Sequence, residues 1–531
     1  MQLEQRIVKP ITHPASLQDL IRVAIARAKH LEQPVILSYT QAWQHVDPLA
    51  FLTAKHKVGQ YRFYWQQPEQ GLTLAAGGSI ADTDRAATLE QPDLRFDLAK
   101  RFAQRYLTHA VVGGEPDLVK PVTEQVLDHG VLPGAYVLGG FSFHDVDRQT
   151  WYGFPAVKLF IPQWLMRQTK VDADGTLSDS TLTVNHCVYP LEDPEDIAVL
   201  VQQLIAYLRQ DFQPKIAATH SPSAIFPQSH SVSQLFDPSQ NQLSSELQIA
   251  EIVGDLPWAE IVQQAVDRIR LGKLDKVVLA RALEVTANQN YDPLEILDRL
   301  RQSYPECIAF LVDFGMGTAF LGATPEMLLK FQTRDRGLLL SSEAVAGSIE
   351  RSLSPDADAQ LGDRLLNSHK DRSEHEIVIE SICNCLRKVG ANLHPLQPPR
   401  LLKLSNVQHL YTPIVAELAN TNWLAAFDVL AQLHPTAAVG GDPKAIALHL
   451  MQEWEVCDRG WYAAPIGWVN SNGEGAFAVG IRSGYFSDNK ARIYAGAGIV
   501  SDSQLDAEFD ETAIKFEALL QALDPNQESD P

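Results

Sequence analysis

The chain has 531 residues, 45% of them hydrophobic and 21% charged, with a net charge of −21. That length supports a large core, and the charged fraction is that of an ordinary folded protein, which excludes collagen-like and disordered classes. The strong negative charge argues against a nucleic-acid partner, and an anionic substrate would need local cations or a metal ion to overcome the field of the whole protein.

The N-terminal stretch, MQLEQRIVKPITHPASLQDL, has no apolar signal segment and lacks the Arg- and Ser-rich look of a transit peptide. No apolar run approaches the roughly 20 residues of a membrane span, so a cytoplasmic protein with no membrane partner is expected. Residues 1–213 form a first half in which strands are predicted over 34–39, 134–143 and 157–161 and a helix over 196–210. Ser, Pro and Gln dominate 214–247, which reads as a surface linker. In the second half, 248–522, helices are predicted over 258–271, 293–304, 370–389, 443–454 and 506–522. Strands are predicted over 276–285, 309–312, 320–322, 476–481 and 492–497. Residues 523–531 read as a frayed polar tail. These elements do not make a regular βαβ series, which favours an α+β fold with large antiparallel sheets over a doubly wound one. The five cysteines, at 187, 307, 383, 385 and 457, are odd in number and imply no disulfide framework. Cys383 and Cys385 lie two apart on a predicted helix, do not face each other, and read as packing residues.

Several residues stand out as chemistry. Asp371 and Glu374 lie at i, i+3 on one predicted helix, and Glu508 and Glu511 repeat that spacing on the last one, so each pair shares a helix face. Two such faces could hold a hard cation such as magnesium, which takes one or two carboxylates, water and substrate oxygens; the plainer alternative is two solvated acidic faces. Lys276 opens an apolar strand. It could be a snorkelling edge residue, or a desolvated lysine able to act as a base. Glu326 sits where a strand breaks at Pro325. A carboxyl in an apolar turn can keep its proton and serve as an acid, the alternative being a helix N-terminal Glu. The small-residue segments 342–348 (SEAVAGS) and 494–498 (YAGAG) would let backbone amides approach an anion. The segments 434–441 and 459–468 read as structured loops.

Taken together, KVVLAR, ATPEMLL, SEAVAGS, KDRSEHE, VQHLYT, LHPTAAVGG, RGWYAAPIGW, GIRSGY, YAGAGIV and DAEFDETAIK follow one another from about 250 to 520. In these stretches the chain resembles the chorismate-binding enzyme family, and GGFSFHDVDRQTWYGFP extends the likeness loosely into the first half. The resemblance implies an α+β sandwich of two related halves, with large antiparallel sheets and outer helices. It implies Glu374 and Glu511 as direct magnesium ligands, with Asp371 and Glu508 behind them. It implies Lys276 as the base that activates water and Glu326 as the general acid. Tyr462 and Arg482 match side chains that hold the enolpyruvyl carboxylate, near Gly496 and Gly498. Gly347, Ser348, His409, Thr436 and Lys515 match further pocket positions. Ser348 stands where Thr is commoner and keeps a hydroxyl; Ala437 stands where Pro is usual.

Within the family, aminodeoxychorismate synthases carry a nucleophilic lysine where this chain has Ala346. Anthranilate synthases tend to have Gln at the position of Lys276, Pro at the position of Glu343–Ala344, and an LLES tryptophan site that this chain lacks. The resemblance therefore implies a magnesium-dependent enzyme that turns chorismate reversibly into isochorismate with water as nucleophile. It also implies no amidotransferase subunit, a monomer, and a place in menaquinone or phylloquinone synthesis. A salicylate synthase, an anthranilate synthase large component and a catalytically silent chorismate-binding regulator are the alternatives.

Overall fold

The computed structural model describes residues 16–55, 57, 59–85, 95–115, 134–145, 151–170, 177–210, 247–254 and 256–524. The predicted 214–247 linker lies outside these residues except for Leu247, which opens a strand, Leu247–Glu251. Of the predicted tail, Leu523 ends a helix and Asp524 caps it, and the remainder lies outside the described residues.

Among the described residues the strands form a 13-stranded and a 10-stranded sheet, nearly all antiparallel. Both halves of the chain feed both sheets. In the larger sheet Arg62–Gln67 pairs with Ile308–Asp313, from Gln66 opposite Ala309 to Arg62 opposite Asp313. In the smaller one Tyr136–Phe141 pairs with Pro465–Asn470. These two seams join the halves through continuous backbone ladders.

The period of two along the strands sorts side chains into two cores. Phe63, Trp65, Phe310, Val312 and Phe320 point into one, while Tyr64, Ala309, Leu311 and Leu321 point into the other. The first core joins the larger sheet to the smaller one and to helices including Trp258–Arg270, His369–Lys388 and Ala425–Leu433. The second is roofed by Leu17–Leu31, Pro194–Arg209, Pro293–Ser303 and Leu505–Leu523. Both faces of the larger sheet are therefore buried, and its strands read as continuous apolar runs for that reason. None of the five cysteines is in a disulfide, and Cys383 is buried in the first core with Cys385 at its edge.

Four elements position the site. The strand Lys276–Ala287, rich in β-branched residues, pairs with Lys490–Ile499. The strand Gly337–Glu350 pairs with Val407–Leu418. The helix His369–Lys388 starts where the Ser368 hydroxyl accepts from the Asp371 amide, and it packs on Gly337–Glu350. The helix Leu505–Leu523 packs on Lys490–Ile499.

Candidate active site

One cavity lies between these elements. Glu326, Gly347, Ser348, Glu374, His409, Tyr462, Arg482, Gly496, Gly498, Glu511 and Lys515 all line it. They come from positions up to 189 residues apart (326 to 515), and the two sheets with their helices bring them together.

Four expected residues stand just behind the lining. Lys276 is 1% exposed, and its ammonium lies 2.9 Å from Glu374 Oε1. It is a buried ion-pair partner and not a snorkelling edge residue. Asp371 backs the cavity at Gly347, where a Cβ would stand 3.0 Å from Asp371 Cβ. Glu508 is 1% exposed, and its Oε1 takes the Lys370 ammonium at 2.8 Å. Thr436 is buried, and its hydroxyl accepts from the Ala438 amide at 3.3 Å, so it shapes the loop whose Ala438 and Val439 reach the cavity.

The two small-residue segments lie inside strands. Gly347 has φ 74° at a register shift between Ala346 and Ser348, a conformation that favours glycine. A Cβ at Gly498 would lie 2.3 Å from Glu374 Oε1 and 2.9 Å from Lys276 Cε, so this position must be bare for the ion pair to fit. A Cβ at Gly496 would stand 3.3 Å from the Tyr462 hydroxyl. Tyr462 in turn stacks on Tyr494 at 4.9 Å.

Glu326 is on no helix. It lies between the strands Thr318–Thr324 and Met327–Arg334. Burial, then the nearby Glu343, pushes its carboxyl up to about 8 against the pull of Lys276 and Lys515. Its Oε1 has no hydrogen-bond partner. Burial and the cations Arg482 and Lys515 bring His409 down to about 3, which keeps it neutral. Its Nδ1 meets Gly347 O at 3.2 Å and Ser348 Oγ at 3.0 Å. Arg482 is buried, has φ 50°, and has no ion-pair partner among the described residues. That backbone conformation costs a non-glycine residue on the order of 1–3 kcal/mol. A buried guanidinium facing a cavity suits an anion. Glu511 is pushed up by burial but ends below the ordinary range, because the Lys515 ammonium lies 2.5 Å from it.

No group of three or more His, Cys, Asp or Glu side chains among the described residues is drawn together as a ready-made metal centre. Two carboxylates, Glu374 and Glu511, do line the cavity. A hard cation needs no more than two from the protein when substrate and water complete its shell. Glu508 Oε2 is buried without a hydrogen-bond partner, so the acidic cluster has oxygen capacity left over.

Sequence reasoning missed Tyr494 and Val278 as lining residues. Tyr494 was legible in principle, since it shares the two-residue period of Gly496 and Gly498. Val278 reaches the cavity from the paired strand, directly opposite Gly498. Arg459, in an expected loop, carries no free charge. It is bound to Glu455 and donates to Val439 O and Val278 O, tying the loop to the strand.

A family profile described as "Chorismate binding enzyme" matches residues 23–524. The isochorismate synthase MenF of Bacillus subtilis (strain 168) is 32% identical over 511 residues, covering 94% of this chain and 96% of that protein. The salicylate biosynthesis isochorismate synthase of Pseudomonas aeruginosa is 30% identical over 516 residues, covering 96% and 94%. Among solved structures, MenF, the menaquinone-specific isochorismate synthase from Escherichia coli, superposes with a TM-score of 0.67 at 25% identity, covering 95% of this chain and 99% of that one.

Proposed function

The chain belongs to the chorismate-binding enzyme family, and from that premise we propose that it is an isochorismate synthase, an isomerase that converts chorismate reversibly into isochorismate. The observation that carries the proposal is a proton-holding Glu326 in the same cavity as Glu374, to which Lys276 is paired. The names of the two full-length relatives support it.

In this reading Lys276 acts in its neutral form and takes a proton from water as the water attacks ring carbon 2. The ring double bonds shift, and Glu326 gives its proton to the hydroxyl leaving carbon 4, so one water enters and one departs. The ion pair with Glu374 fixes where the Lys276 nitrogen stands. Arg482 and Tyr462 receive the enolpyruvyl carboxylate. Ser348, neutral His409 and Lys515 border the ring, with Gly347, Gly496 and Gly498 leaving it room. Magnesium is the proposed cofactor, held by Glu374 and Glu511 with Asp371 and Glu508 behind; when bound it supplies positive charge that grips the ring carboxylate. Arg482 and Lys515 are the local cations that a chain of net charge −21 requires to attract an anion. Positioning and fixed charge carry most of the acceleration. One allylic C–O bond is made as a similar one breaks, so the reaction is near thermoneutral.

The enzyme uses water and needs no ammonia-delivering subunit. We place it in the cytoplasm as a monomer that feeds quinone synthesis, menaquinone or phylloquinone; the name of the Escherichia coli neighbour favours the former. No helix among the described residues is long and apolar enough to cross a membrane. The test is chromatography of purified protein with chorismate and magnesium, without ammonia. Isochorismate is expected, and chorismate when the reaction is started from isochorismate. Salicylate as the main product would reassign the protein, and anthranilate formed only with ammonium would overturn the role of water.

A further inference from the structure

Glu343 lies on the strand Gly337–Glu350, whose ladder with Met327–Arg334 runs from Arg334 opposite Gly337 to Lys330 opposite Ser341. Beyond Lys330 side chains replace the ladder. The Ser342 hydroxyl donates to Leu328 O at 2.7 Å, and the Met327 amide donates to Glu343 Oε2 at 3.1 Å. On the other side Glu343 is opposite Pro413, and the Tyr411 hydroxyl donates to Glu343 Oε1 at 3.1 Å. Glu326 immediately precedes Met327. Its own amide donates to the Thr324 hydroxyl at 3.2 Å, and its carbonyl accepts from the Val479 amide at 3.0 Å. The residue that carries the proposed acid is thus clamped at its own amide, at its carbonyl and at the next amide, and the last clamp is a carboxylate.

We infer that Glu343 is a positioning residue for Glu326: anchored by the Met327 amide and the Tyr411 hydroxyl, it fixes the turn that carries the acid and sets a negative charge beside it. The inference rests on the proposed role of Glu326. The two carboxyls differ in their hydrogen bonds. Glu343 has a donor on each oxygen, whereas Glu326 Oε1 has none. Burial raises both, Glu343 to about 7 and Glu326 to about 8. The donor on each Glu343 oxygen favours its ionised form, and that charge opposes the loss of the Glu326 proton. Lys276 and Lys515 face Glu326 from the other elements and pull the opposite way. Around Glu343 the charged neighbours are Glu69, Arg400 and Lys330.

The test uses the full chain and two readouts. One is the infrared band of the protonated Glu326 carboxyl, assigned by its loss in Glu326→Gln and titrated with pH. The other is kcat and KM across pH. Glu343→Gln keeps an acceptor for Met327 and removes the charge, so a purely structural role would not respond to it. The expected result is that Glu326 loses its proton about one pH unit lower, with kcat on the alkaline limb about tenfold down and KM unmoved. Glu343→Ala should lower kcat at every pH, with Gln restoring that part; if the Ala variant does not fold, Gln alone decides. An infrared titration and alkaline limb that stay at wild-type positions in Glu343→Gln would overturn the inference. Near-normal turnover in Glu326→Gln would instead overturn the acid role, and the infrared comparison of Glu343→Gln would still decide whether Glu343 governs the neighbouring proton.

Discussion

On the helical wall of the cavity three acids meet an ammonium: Glu374 meets Lys276 at 2.9 Å, Glu511 meets Lys515 at 2.5 Å, and behind them Glu508 meets Lys370 at 2.8 Å. On the sheet wall Glu326 and Glu343 have no ion-pair partner among the described residues, and burial raises both, Glu326 the more. Burial pushes Glu511 up as well, yet Lys515 returns it below the ordinary range. Depth alone therefore does not decide what a carboxyl does. Nor does a close ammonium alone, since burial keeps Glu508 raised beside Lys370; the balance of the two sets each carboxyl, and one cavity can hold an ionised acid suited to a cation beside a protonated acid suited to a leaving group.

The largest effect should come from discharging the helical wall. Glu374→Ala leaves the Lys276 ammonium buried and unpaired, at about 3–5 kcal/mol, and removes a proposed magnesium ligand. Turnover by Glu374→Ala or Glu511→Ala should be unmeasurable at any magnesium concentration, with smaller losses for Asp371→Ala and Glu508→Ala. Thermal unfolding of Glu374→Ala should come early, and adding Lys276→Met should recover it. Activity that survives thorough chelation would reduce this wall to a set of ion pairs.

Next in size is the pair that straddles the two walls. Lys276→Ala and Glu326→Gln should each cut turnover by at least about 100-fold, the scale of lost acid–base catalysis, while calorimetry still detects chorismate binding through Arg482. Near-normal turnover in Lys276→Ala would show that the base lies elsewhere.

The smallest effect is read in the pH profile. Glu326 has its value raised to about 8, so it keeps its proton below that pH and loses it above. Once Lys276 is neutral, turnover should fall about tenfold per pH unit beyond 8 as the acid form is depleted. An alkaline fall that stays at the same pH in Glu326→Gln would mean that the sheet wall holds no working acid.

Much of this was legible in the residues because its causes are local. The strands near 276, 309, 320 and 492 and the helices near 258, 293 and 370 lie where apolar periodicity puts them, within a few residues. One acid of each i, i+3 pair, Glu374 and Glu511, lines the cavity, and Gly496 and Gly498 line it through the two-residue period of a strand. Thr436 was expected in the pocket and stands behind it, because a loop's facing is set by what it packs against.

The sequence by itself determined the elements, the strand break at Pro325, and the set of residues carrying charge, since propensity, capping and periodicity act over a few neighbours. Only the tertiary structure decided that both halves build both sheets, that Lys276 spends its charge on Glu374 98 positions away (374 − 276), and that Glu343 stands beside Glu326. Those outcomes rest on strand register and burial, and an electrostatic neighbour is defined by distance in a low-dielectric interior, which no local pattern encodes.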